Sequence, residues 1–303
     1  MSEMLDPTMF GLLNINKPRG KTSRWAVDQV KRLVRPAKVG HAGTLDPLAT
    51  GVLVVAVGPA TRLVEYVQQA PKKYRAEFLL GRTSDTEDTE GRVTELTDPW
   101  MPSLAEIEFA TARFIGEIQQ RPPVFSAIKV SGKRAYTLAR KGQEVELEPR
   151  SVTIHTLNVL EYEYPQLTLD IECSSGTYIR SLGRDLAESL GTGAVMSALE
   201  RTTIGEFHVA HSIDVTLLSI ENLRQRLLPA RMAVAHLPAV ALTEAEVQRI
   251  VRGQYIGGRT VVGAAGKSRE FAAFDDSGNL VAILAPRAGG LLGPALNLVT
   301  GAR

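Results

Sequence analysis

Residues Lys38 to Arg62 read KVGHAGTLDPLATGVLVVAVGPATR, and the two halves of this stretch organise the rest of the chain. Gly51 to Gly58 (GVLVVAVG) is a short, valine-rich apolar run bounded by glycines, the pattern of a strand buried on both faces. The loop before it, Gly40-His41-Ala42-Gly43-Thr44-Leu45-Asp46-Pro47, is therefore expected to be held rigidly. Its two glycines permit tight turns or close approach of another backbone, while Pro47 fixes the chain after Asp46 and biases Asp46 away from helical angles. A carboxylate on a rigid loop beside a histidine has the form of a reactive site; Asp-Pro is also a common turn dipeptide without chemistry.

Upstream, Gly11 to Ile15 reads as a strand, Asn16 to Gly20 as a turn, and Thr22-Ser23 as the cap of a helix over Trp25 to Val34. Lys17 lies at this corner, where it either supports the Asp46 loop or reaches a phosphate. Downstream, Thr61 to Gln69 reads as a helix and Lys72 to Gly81 as a strand. Tyr74 stands within Lys-Lys-Tyr-Arg, so its ring can stack on a base while its neighbours meet phosphates. Residues 83–98 hold six acidic residues and one arginine, a run expected to be a solvated loop or hairpin facing away from an anionic ligand. Leu104 to Phe114 follows as an amphipathic helix.

From Arg121 to Lys141 the balance reverses, with six Lys or Arg residues, including Lys129, Lys133, Arg134, Arg140 and Lys141, and no Asp or Glu. The overall charge of only +2 conceals this local basic patch; such cations can simply be solvated on a loop, but the lack of any countercharge together with Phe125 and Tyr136 favours RNA contact. Ala135 to Lys141 is compatible with a short helix ended by Gly142. Arg150 to Val159 and Gln166 to Cys173 alternate as paired strands and lead into Ser-Ser-Gly-Thr-Tyr-Ile-Arg, residues 174–180. If the strand persists, Tyr178 and Arg180 project to one side. Ser181 to Leu190 then reads as a helix. Arginine is the side chain best suited to hold a carboxylate by two parallel hydrogen bonds. After Leu227, proline and glycine punctuate short apolar runs. A capped helix over Thr243 to Arg252 and a hairpin joining Phe271–Phe274 to Leu280–Leu284 suggest a small β-rich unit.

At 303 residues and 44% hydrophobic content the chain can build two domains. The single cysteine, Cys173, excludes an intramolecular disulfide or a cysteine-cluster zinc site, and with no export or membrane-spanning segment expected the reading is a cytoplasmic protein. His208 and His211 have a spacing found in metal sites but no clustered partners, and no dinucleotide or Walker fingerprint is present.

The string GHAGTLDPLATGVL closely resembles the catalytic motif of the TruB family of pseudouridine synthases. Asn16-Lys17-Pro18 resembles the family's first motif, usually Asp-Lys-Pro; Tyr74 falls at the tyrosine of the second, and Gly176 to Arg180 matches the third. The resemblance covers most of Gly11 to Phe207. It implies an α/β (α+β) fold, a pseudouridine synthase core with a mixed, largely antiparallel sheet over residues 1–230. An RNA-binding insertion near 121–150 and a small β-rich, PUA-like C-terminal domain over 231–303 complete it. It also implies Asp46 as nucleophile, Arg180 as its orienting partner and Tyr178 lining the pocket. Tyr74 would stack on the flipped uracil, His41 would stabilise the RNA loop around the vacated place, and Leu199 would help enclose the site. Lys129, Lys133, Arg134, Arg140 and Lys141 would grip the T-arm of tRNA. No cofactor, metal, membrane or protein partner is implied, and a monomer is expected. The reaction implied is isomerisation of the T-loop uridine at position 55 by base flipping and aspartate-dependent C-glycoside formation. From sequence, Asp46 has three open roles: adding to the base, attacking the sugar carbon or taking a sugar proton. Two other classes stand beside this reading, a non-catalytic tRNA-binding or folding module and the catalytic subunit of a guide-RNA complex.

Overall fold

The structure is a computed structural model that describes residues 10–125, 147–257 and 270–298, together with the backbone of 129–130 and 133–134. Strands in chain order are β1 Gly11–Lys17, β2 Val39–His41, β3 Thr50–Val57, β4 Lys72–Leu80, β5 Arg82–Ser84, β6 Val93–Glu95, β7 Gly116–Gln120, β8 Lys129–Val130 and β9 Lys133–Arg134. They continue as β10 Arg150–Glu163, β11 Gln166–Cys173, β12 Ala194–Ile204, β13 Phe207–His208, β14 Ile213–Asp214, β15 Ala239–Ala241, β16 Phe271–Phe274, β17 Leu280–Arg287 and β18 Leu291–Asn297. The α-helices are α1 Ser23–Val34, α2 Val64–Gln69, α3 Leu104–Ala112, α4 Ile179–Ser189, α5 Ile220–Arg226 and α6 Glu244–Val251.

A ten-stranded sheet runs β14-β1-β3-β12-β4-β11-β10-β7, with β2 added on β3 and β13 on β12. Its pairings are antiparallel except β1 with β14 and β12 with β3, which gives the mixed, largely antiparallel sheet expected. The valine-rich strand is buried on both faces. Val52, Val54 and Ala56 point to one side, where Leu63 and Val67 cover them, and Leu53, Val55 and Val57 point to the other, onto Ala26, Val30 and Val34 of α1. α3 and α4 cover the far half of the sheet, packing Ile107, Leu182 and Leu186 with Phe78, Leu167 and Leu169.

The parallel contact between β3 and β12 positions the site, because it sets Glu200 opposite Thr50 and Arg201 opposite Gly51. Gly51 has φ +94, and a Cβ there would fall 2.3 Å from the carbonyl oxygen of Arg201, so only glycine allows this approach. The loop entering β3 and the side chains of β12 are thereby brought together.

β15-β16-β17-β18 form a separate four-stranded sheet, and the hairpin of β16 and β17 turns through Asp275 to Asn279. Thr243 and Glu246 form a reciprocal capping box on α6, as the sequence anticipates. Ala272, Leu280 and Ile283 of this sheet share a core with Leu12, Val54 and Leu63.

Two local expectations change. The segment over 61–69 begins as a 3₁₀ turn at Gly58, with Pro59 in its first turn, and becomes α-helical only at Val64. The strand before Tyr178 ends at Cys173. A turn through Ser174 to Gly176, with φ +91 at Gly176, converts the chain to helix, so Tyr178 is the residue before α4 and Arg180 lies in its first turn. β8 and β9 pair Lys129 with Arg134 and Val130 with Lys133 in antiparallel register, and the helix expected over 135–141, with Arg140 and Lys141, lies outside the described residues.

Candidate active site

The loop carrying Asp46 is fixed at three successive places. Arg201, buried on β12, donates from Nε to Val52 O at 2.8 Å and from Nη2 to Gly43 O at 3.2 Å, tying the loop to the strand it enters. Ser23, the first residue of α1, accepts from Leu45 N at 2.8 Å and donates to Leu45 O at 3.2 Å, so both backbone groups before Asp46 are held by one hydroxyl. Pro47 O accepts from Gly20 N at 2.7 Å and from Lys17 Nζ at 3.4 Å. Lys17 is fully buried and also donates to Pro18 O and Lys21 O, which makes it the corner support and not a phosphate contact. Burial pulls its pKa down to about 8, against the nearby Asp46 and Glu90, which favour the charged form.

Asp46 therefore presents its carboxylate into a cleft of about 710 Å³. Arg180 waits there, 5% exposed, with Nε 3.1 Å from Asp46 Oδ2. The contact is not the parallel two-bond clamp expected on one carboxylate. The guanidinium divides itself instead: Nη1 lies 3.4 Å from Asp88 Oδ2 and donates to Thr86 O at 2.6 Å, while Nη2 donates to Phe125 O at 3.2 Å. With four groups sharing one cation, the arginine is immobilised before substrate arrives.

Asp88 and Thr86 belong to the acidic run over 83–98, which was expected to face away from the ligand. That expectation fails. β5 and β6 do form a hairpin with exposed ends, but the turn between them brings Thr86, Asp88 and Glu90 to the cleft. The physical reason is the buried Arg180, whose charge needs compensation that a solvated acidic loop would not supply. Asp88 is 3% exposed and accepts from Thr86 Oγ1 at 2.6 Å and Glu90 N at 3.0 Å. Glu90 has its carboxyl raised above the usual range by burial, then by Asp88 and Asp46.

Tyr74 lines the cleft from β4, buried, with its phenol pushed upward chiefly by burial. Its neighbours do not accompany it. Strand alternation sends Lys73 and Arg75 to the opposite face, where they pair with Glu172 at 3.3 Å and Glu161 at 3.4 Å. Lys72 shares the face of Tyr74, and burial followed by the charge of Arg201 lowers its pKa to about 8. Tyr178 is held by Gln120, fully buried on β7, whose amide accepts from Tyr178 N at 2.8 Å and donates to Tyr178 O at 3.0 Å. The Arg150 guanidinium lies 4.6 Å from the centroid of the Tyr178 ring. Leu199 lines the cleft beside Arg201.

The structure thus brings Asp46, Arg180, Tyr178, Tyr74 and Leu199 to one cleft. His41 stands apart at the end of β2, opposite Val55; it does not line the cleft, and burial holds its imidazole below the usual range. The side chains of Lys129, Lys133, Arg134, Arg140 and Lys141 lie outside the described residues. Missed from sequence are Asp88, Thr86, Arg201, Gln120 and Ser23, each recognisable only through a partner distant in the chain. Among the described residues no group of three His, Cys, Asp or Glu side chains is arranged to hold a metal, and His208 and His211 meet only edge to face, with ring centroids 6.2 Å apart.

Known proteins resemble this chain over most of its length. The model of the TruB family pseudouridylate synthase N-terminal domain matches residues 31–179. A Dehalococcoides mccartyi protein named tRNA pseudouridine synthase B is 40% identical over 291 residues, 95% of this chain and 96% of that protein. A Microcystis aeruginosa protein of the same name is 45% identical over 243 residues, 79% of this chain and 82% of its own length. Among solved structures, a chain from a Cbf5-Nop10-Gar1 complex superposes with a TM-score of 0.76 at 28% identity, covering 96% of this chain and 85% of that one. Fold and site define an isomerase of the pseudouridylate synthase class. Within that class, the chain belongs to the TruB family.

Proposed function

We propose that this protein converts the T-loop uridine at position 55 of tRNA to pseudouridine, acting alone, as a monomer, in the cytoplasm and without a cofactor or guide RNA. The observation that carries the reading is the Asp46 carboxylate, open to the cleft and 3.1 Å from a buried Arg180 that cannot leave it. The reaction breaks the bond from C1′ of the ribose to N1 of uracil, turns the base, and joins C1′ to C5. The proton on C5 leaves, and N1 ends protonated, so no electron or group donor is needed.

The target base must leave the stack to reach the cleft. Tyr74 offers it an aromatic face from the floor, and Leu199 closes the apolar side. Tyr178, pinned through its backbone by Gln120, lines the wall next to Arg180. Asp46 is the group that engages the detached or activated nucleoside, and Arg180 keeps its carboxylate oriented. The basic segment carrying Lys129, Lys133, Arg134, Arg140 and Lys141 would neutralise phosphates of the T-arm, with His41 bracing the loop left behind. The four-stranded sheet is read as a PUA-like RNA-binding domain over 231–303, following a catalytic domain over 1–230.

The alternative of a guide-RNA subunit draws on the likeness to a Cbf5 complex. Against it stand the chain's own basic segment and its 40% identity, end to end, with a protein named as a tRNA enzyme. The deciding experiment incubates the purified protein by itself with an unmodified tRNA transcript, chelator present, and maps pseudouridine by position. Product at the T-loop uridine is expected; modification confined to another loop would overturn the substrate, and no product at all would overturn the stand-alone enzyme.

A further inference from the structure

Three consecutive residues of the acidic turn meet helix α4 in alternation. Thr86 and Asp88 both face Arg180, through the Thr86 carbonyl at 2.6 Å and the Asp88 carboxylate at 3.4 Å. Glu87, between them, meets the following residues of the same helix. One of its carboxylate oxygens accepts from Ser181 Oγ at 2.7 Å, and the other pairs with Nη1 of Arg184, one helical turn beyond Arg180. Arg184 also pairs with Asp185 and donates from Nη2 to Arg121 O at 3.0 Å, where the basic segment begins.

Two features indicate that Glu87 is held against a cost. Its backbone has φ +63, a region that non-glycine residues rarely occupy, with Glu87 N donating to Ser84 O at 3.2 Å and Glu87 O accepting from Met196 N at 3.0 Å. Its side chain is 12% exposed, and burial raises the carboxyl above its ordinary range, opposed by Arg184, Ser181 and Arg180 and reinforced by Asp185. An acidic residue that is strained and buried persists where its partners over-determine it.

On the reading that the cleft is a pseudouridine synthase site, we propose that Glu87 is a positioning residue: through Ser181 and Arg184 it locks the turn onto α4, setting Asp88 and Thr86 against Arg180 and so fixing the orientation of Asp46. Glu87 itself touches neither Asp46 nor the space a base would fill. It acts because Asp88 follows it directly in a turn whose backbone cannot rotate while the Glu87 carboxylate is engaged. The same pair extends the lock to the base of the basic segment through Arg121.

The test uses Glu87→Gly, which removes the carboxylate while relieving the left-handed backbone, so the relieved strain offsets part of the lost ion pair. Its tRNA dissociation constant should stay within about twofold of wild type, while the single-turnover rate of pseudouridine formation falls about tenfold. Glu87→Gln, which still accepts from Ser181 but carries no charge toward Arg184, should lie between the two. Combining Glu87→Gly with Asp88→Asn should cost little more than Asp88→Asn alone, since both act through Arg180. A full single-turnover rate in Glu87→Gly, or losses that multiply in the double variant, would overturn the proposal. Should the glycine variant not fold, Glu87→Gln decides by the same rate and binding measurements. An inactive wild type would instead sink the functional reading beneath it, a result distinct from an active wild type indifferent to Glu87.

Discussion

Asp46 and Asp88 meet one arginine through different nitrogens, Nε at 3.1 Å and Nη1 at 3.4 Å, yet the side chain of Asp46 is 38% exposed and that of Asp88 only 4%. Asp46 is fixed through its backbone, by Ser23, Gly20, Lys17 and Arg201 acting on the residues around it, which leaves its carboxylate facing the cleft. Asp88 is fixed through its carboxylate, which Thr86, Glu90 and Arg180 already occupy. On the proposed function, the same side chain thus serves once as a reagent and once as a counter-ion. The difference lies in which part of the residue the protein uses to hold it.

Replacing Asp46 by Asn removes the proposed reagent and should lower single-turnover pseudouridine formation by roughly four orders of magnitude, with tRNA binding preserved. Retained turnover would make Asp46 another counter-ion. Arg180→Lys should leave a folded protein and cost about 10²–10³ in the same rate, because one ammonium cannot reach two carboxylates and two carbonyls at once. A near-normal rate would mean that charge alone suffices. Asp88→Asn, which keeps the size and part of the bonding, should cost about tenfold to a hundredfold through loosened Arg180. Loss as deep as that of Asp46→Asn would erase the distinction between the two.

The smallest effect concerns the support beneath Asp46. Lys17 titrates at about 8 when folded, against an ordinary 10.5. Between those values the unfolded chain binds more protons than the folded one, so this group's penalty is fully present below pH 8 and is relieved as pH rises toward 10.5. Relative to Lys17→Met, the wild-type protein should therefore gain stability on the order of 1–3 kcal/mol across that window, measured by denaturant unfolding at several pH values. A constant difference would show that burial does not depress this amine.

The same contrast explains what the sequence made legible. Asp46 sits inside a long ordered string next to an apolar strand, so both motif and periodicity announced it. Tyr178 and Arg180 were legible as a pair, though the turn at Gly176 places them at a helix start and not on a strand. Asp88 was hidden because local charge density describes a solvated run equally well, and its partner Arg180 lies far along the chain. Gln120 and Arg201 were hidden for a related reason: a buried polar residue reads as an exposed one until its backbone partners, Tyr178 and the carbonyls of Gly43 and Val52, are in place. The alternation of β4 already put Lys72 on the face of Tyr74 and Lys73 on the other; what it did not show was that this face lines the cleft.

The most direct test places both aspartates on one substrate. Single-turnover pseudouridine formation at the T-loop uridine is measured for Asp46→Asn and Asp88→Asn on the same unmodified transcript, at concentrations giving equal tRNA occupancy. A slow but complete conversion by Asp88→Asn and none by Asp46→Asn is the predicted result; product from Asp46→Asn, or equal rates in the two variants, would contradict it.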